Sequence, residues 1–88
     1  MFQYQAIQTG QVTVTGSVTL ISAAYPSRSG IVLVNTGGTT VYIGENANVT
    51  ISTGCPLLAS TSLSFSTTGA IYGITSGGSD VVGFLQTN

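Results

Sequence analysis

Gly30-Ile-Val-Leu-Val-Asn35-Thr-Gly-Gly-Thr39-Thr-Val-Tyr-Ile-Gly44 is the stretch that decides the fold. Ile31 to Val34 is an unbroken apolar run, short and rich in β-branched residues, and so reads as a strand with two apolar faces. Val41 to Ile43 repeats the character, with Val41 and Ile43 on one face and Tyr42 on the other. Between them, Asn35 to Thr39 holds two adjacent glycines. Glycine reaches positive φ at little cost, so this segment predicts a tight hairpin turn.

Working outward, the same grammar recurs. Towards the N-terminus, Ala23 to Gly30 is a loop around Pro26. Gln11 to Thr15 alternates, valines inward and threonines outward. Val18 and Leu20 keep that parity, which predicts one strand bent at Gly16. Phe2 to Gln8 sets Phe2, Tyr4 and Ala6 against glutamines. Towards the C-terminus, Val49 to Ile51 is a short strand, Ser52 to Pro56 a break, and Leu57 and Leu58 are core residues at a sheet corner. Ser62 to Ser66 alternates around Leu63 and Phe65. Ala70 to Thr75 and Val81 to Leu85 flank Ser76 to Asp80 and predict a final hairpin. The sum is eight or nine short, mainly antiparallel strands in an all-β, jelly-roll-like β-sandwich. Nine valines, seven isoleucines and fourteen threonines agree with it.

With 88 residues the chain makes a single domain, 1–88, in which residues 1–10 read as an N-terminal arm. Its charges are three: Arg28, Glu45 and Asp80. One cation cannot neutralise a phosphate backbone, so no nucleic-acid partner is expected. The longest apolar runs fall far short of the roughly 20 residues of a membrane helix, so no membrane is expected either. Met1 to Gln8 has neither a basic n-region nor a long apolar h-region, which predicts no leader and synthesis in a cytoplasm. The sole cysteine, Cys55, beside Pro56, is expected to be a small buried hydrophobe, with no intrachain partner.

Little in the chain supports catalysis. Histidine and lysine are absent, and with them the commonest general base and a major class of metal ligand. Glu45 and Asp80 are expected to be solvated loop charges rather than a glycosidase pair. Glu45, Asn46 and Asn48 offer oxygens to a hard cation, but one carboxylate is too few for tight binding. No enzyme activity, metal or other cofactor is therefore expected. Arg28 reads as surface decoration that can also pair with Glu45, Asp80 or a partner's carboxylate.

Strands 31–34, 71–74 and 81–85 are apolar on both faces, although a two-layer sandwich needs only one buried face per strand. Neighbouring subunits are the expected cover for some of these second faces. A near-neutral surface suits a subunit that packs, because free monomers usually keep net charge for solubility. Tyrosine is enriched at interfaces. The expected interface residues are Phe2, Tyr4, Tyr25, Arg28, Tyr42, Tyr72 and Phe84.

Arg28-Ser-Gly-Ile-Val-Leu-Val-Asn-Thr-Gly37, Val41-Tyr-Ile-Gly44, Gly54-Cys-Pro-Leu57, and Ile71-Tyr-Gly-Ile74 with its Gly-Ser-Asp turn and Val81-Val82 together resemble a pattern in small all-β virion proteins of tailed bacteriophages. These are cement, decoration or head-fibre proteins, and the resemblance covers about residues 28–85. It implies a homo-oligomer, often a trimer, that sits on the virion capsid surface, contacts the major capsid protein and stabilises the shell. No catalytic residue carries over. A tail- or fibre-associated module that binds host glycans is the alternative.

Overall fold

The computed structural model describes residues 7–88, and these form eight strands and no helix. They are β1 (Ile7–Val14), β2 (Thr19–Ser22), β3 (Gly30–Asn35), β4 (Val41–Gly44), β5 (Cys55–Leu57), β6 (Ser62–Phe65), β7 (Ile71–Thr75) and β8 (Asp80–Thr87). A front sheet has the order β1-β8-β3-β6 and a back sheet the order β2-β7-β4-β5, with every pair antiparallel. Two four-stranded sheets with this interleaved order make a jelly roll. The sandwich expectation therefore holds. The arm residues Phe2 and Tyr4 lie outside the described residues.

The pairing differs from the sequence reading in an instructive way. β3 and β4 are not a hairpin: β3 pairs with β8 and β6, whereas β4 pairs with β7 and β5. Likewise β7 and β8 lie in different sheets. The segment read as one strand bent at Gly16 also changes sheet, with β1 in front and β2 behind. Only β4 and β5 are sequential neighbours within one sheet, joined through residues 45–54. Nor do the glycines supply left-handed turns. No described glycine has positive φ, and among the described non-glycine residues only Ser60 does, at 60°.

Asn35 explains the first of these crossings. It is fully buried at the end of β3. Its Nδ2 donates to Thr39 O at 2.8 Å and Leu57 O at 2.9 Å, and its Oδ1 accepts from the Gly37 N–H at 3.1 Å. One side chain thus serves three main-chain groups where the chain leaves the front sheet for the back one. A buried amide is tolerated only when so partnered.

Between the sheets lie Val14, Ile21, Ile31, Leu33, Val41, Ile43, Leu57, Ile71 and Val82, with Leu63, Phe65 and Phe84 packed against them. Each full burial of such a side chain contributes roughly 1.5–3 kcal/mol. Ile21 points inward and Leu20 outward, the reverse of the expected parity, and a register shift between Leu20 and Ser22 lets Ser22 be buried beside Ile21. Val49 is buried, as a strand residue would be, but sits in a turn, its N–H bonded to Asn46 O. Leu58, expected in the core, is exposed.

Two glycines serve close packing. Gly10 stands opposite Phe84, whose ring occupies the space a side chain would take: a Cβ there would lie 2.8 Å from the ring. A Cβ on Gly73 would meet Ile21 Cδ1 at 2.8 Å and Val41 Cγ1 at 3.1 Å. Gly73→Ala is therefore an overpacking substitution. It is expected to cost about 1–3 kcal/mol, read as a lowered urea midpoint with unchanged slope.

Candidate interaction surface

The alternation of β8 sets what the front sheet shows to solvent. Val82, Phe84 and Gln86 point inward, so Val81, Gly83 and Leu85 point outward. The register then places Val32 beside Leu85 and Val34 beside Gly83, with Thr9 and Gln11 of β1 on the other flank. Ser62 and Ser64 complete the β6 side. The result is an aliphatic centre rimmed by hydroxyls and amides, without one charged residue. A shallow groove of about 310 Å³ runs over Gly83 between Gln11 and Val34, and a second of about 340 Å³ lies between Val32 and Ser64.

The back sheet repeats the theme. Leu20, Tyr72 and Gly44 form one outward row, and Ile74, Tyr42 and Pro56 the next. Tyr42 and Tyr72 are both half-buried. Each thus lies on an outer face, where an interface residue belongs. Phe84 does not, because its ring packs against the core. Tyr25 is half-buried in the β2–β3 loop, and its hydroxyl accepts from Asn88 Nδ2 at 2.8 Å.

Arg28 corrects the sequence reading most sharply. It is 4% exposed, not surface decoration, and neither Glu45 nor Asp80 is its partner. Its Nε donates to Gln86 Oε1 at 2.9 Å. Nη1 donates to Thr67 O and Gly69 O, both at 2.9 Å, and Nη2 to Ser22 Oγ at 3.0 Å and Ala23 O at 2.7 Å. Gln86 is itself bonded to Ser22 and to Gln8 of β1. All five acceptors of the guanidinium are neutral oxygens. The network ties β1 and β8 of the front sheet to β2 of the back sheet and to two loops.

Asp80 is also 4% exposed, with Oδ2 accepting from the Thr39 N–H at 3.1 Å and Oδ1 from the Val81 N–H at 2.8 Å. The expectation of a solvated charge is wrong for this residue and right for Glu45. The two carboxylates flank opposite ends of β4. At about 3.3 Å per residue they stand more than roughly 13 Å apart, beyond the spacing of a glycosidase pair. Glu45, Asn46 and Asn48 do share one polar dent, yet Asn46 Oδ1 is already taken by the Asn48 N–H at 2.9 Å. Cys55 is exposed on the edge strand β5 rather than buried, although it stands opposite Ile43 on the same side of the strand as the buried Leu57. With Arg28 and Asp80 internal, Glu45 is the sole exposed charged side chain among the described residues.

No protein-family model matches this chain, and no characterised protein matches it by sequence. Among solved structures it is similar to a chain from Bacillus endospore appendages, described as a novel family of disulfide-linked pili. The TM-score is 0.64 and the identity 16%, over 96% of this chain and 83% of that one. At that identity the likeness shows a shared fold alone.

The aromatic signal located Tyr42 and Tyr72, but it passed over Val32, Val34, Leu85, Leu20 and Ile74. Those aliphatics were present in the sequence as second faces of doubly apolar strands. Choosing the inward parity of each strand was enough to find all of them except Leu20, because β2 does not continue the inward parity of β1.

Proposed function

We propose that the protein is a non-catalytic structural subunit that works by packing against other subunits. Its specific setting is the surface of a bacteriophage capsid, where it acts as a cement or decoration protein on the major capsid protein. The observation that carries this reading is the surface itself. Both outer sheet faces are apolar at the centre, and one exposed charged side chain serves all described residues. A free monomer of this kind has little charge to hold copies apart, whereas a packed subunit needs little. The similarity to a chain of endospore appendages, described as disulfide-linked pili, supports the same general role.

Avidity makes such a surface useful. A modest apolar contact repeated over a lattice sums to firm attachment, and attachment that favours the closed shell stabilises it by mass action. The test is light scattering of the purified full chain, followed by imaging after incubation with undecorated phage shells. Self-association and regular decoration are expected. A strict monomer that leaves shells bare overturns the proposal. Specific retention on a glycan array, lost in Tyr42→Ala, would support the host-glycan alternative instead.

A further inference from the structure

The four sheet edges are protected very unequally. An open edge offers unpaired N–H and C=O groups to any passing strand, and proteins usually blunt it with shortness, proline, bulges or charge. β5 is three residues long and contains Pro56. β2 is four residues long and carries a register shift. β6 is four residues long. By contrast, β1 runs for eight residues, Ile7-Gln-Thr-Gly-Gln-Val-Thr-Val14, in unbroken register with β8 from Ile7↔Thr87 to Val14↔Asp80. It holds no proline, no bulge and no charge.

We propose that β1 is the edge through which two copies of this chain join, antiparallel about a twofold axis at Gln11. The partner strand is β1 of the second copy because each copy presents only one long, unblunted edge among its described residues. An isologous contact must be compatible with itself. A charged residue on the axis would face its own like, but an amide both donates and accepts, so Gln11 can bond Gln11 of its partner. In this register Thr9 stands across from Thr13 of the other copy, again uncharged. All four outward residues of β1 keep their outward direction, so the two front sheets merge into one of eight strands. Their aliphatic centres then lie on one continuous face, available to the capsid or to further copies. This inference deepens the structural-subunit reading and rests on it.

The full chain is measured by light scattering, alone and with charge placed at Gln11. The parent is expected at an even multiple of the 8.9 kDa chain mass. Gln11→Lys and Gln11→Glu, both at an exposed position, are each expected to fall to half that mass or less. An equimolar mixture of the two is expected to recover it, since opposite charges then meet on the axis. Amide exchange along β1 is expected to slow on association. A trimer overturns the twofold pairing. So does an assembly indifferent to both Gln11 variants, or one lost in Ser64→Lys on the β6 edge; these leave the broader structural role standing. A strict monomer overturns the pairing, and one that also leaves shells bare overturns both.

Discussion

Replacing Arg28 with methionine is expected to destabilise the fold by about 3 kcal/mol, and replacing it with lysine is expected to restore none of that. The side chain is 4% exposed and its five donated hydrogen bonds end on Gln86, Thr67, Gly69, Ser22 and Ala23. Methionine has the length but no donors. Each acceptor left buried without a partner costs about 1–3 kcal/mol. Two effects lower the sum. Removing the cation removes its desolvation penalty, which no carboxylate among its hydrogen-bond partners offsets. Three of the acceptors are loop carbonyls at one end of the sandwich and can recover water by opening slightly.

Lysine fails for a different reason. Its ammonium is a point charge with three donors, and it cannot span Gln86 on one side and the Thr67 and Gly69 carbonyls on the other. It keeps the cost of burying charge and loses the fork that met it. Urea unfolding at neutral pH compares the three proteins. A lysine variant within about 0.5 kcal/mol of the parent would show that charge, not the planar fork, is what this site requires. The loss is large against the roughly 5–15 kcal/mol that holds a small domain together.

The sequence made strands legible and pairings only partly so. Alternation located Val41 and Ile43 as structural positions, because a period of two is imposed locally by the pleat, and an unbroken apolar run located the strand that carries Ile31 and Leu33. Asn35-Thr-Gly-Gly-Thr39 announced a change of direction for the same local reason. Which sheet receives the returning strand depends on Leu57, Asp80 and Val81, residues more than twenty positions away. A sheet-crossing loop and a hairpin loop share one composition, so the pairing could not be read from it. Arg28 was misread through a sound prior, since an isolated charge is rarely buried. Its five oxygens come from three separate segments, at residues 22–23, 67–69 and 86, and no spacing in the chain advertises them. The apolar second faces were legible because they follow from alternation alone.

Gly37→Ala is expected to be the most damaging single-methyl change, at about 3 kcal/mol, although Gly37 does not have positive φ. The cause is steric. A Cβ there would lie 2.6 Å from Asp80 Cγ, and that carboxylate is held by the N–H groups of Thr39 and Val81. The new methyl can be relieved in only two ways. Asp80 rotates out and orphans both N–H groups, or the loop lifts and pulls Gly37 and Thr39 away from Asn35. Either route loosens the corner between Val34 and Val81, which is one end of the outer front face. The adjacent Gly38→Ala is the control: nothing lies within 4 Å of its Cβ position, so its effect is expected to stay within about 0.5 kcal/mol. A double-mutant cycle isolates the contact. Asp80→Ala alone is expected to cost about 1–3 kcal/mol for the two unpaired donors, and on that background Gly37→Ala should cost at least about 1 kcal/mol less than in the parent. Full additivity of the two losses would mean that the methyl acts through the backbone and not through Asp80.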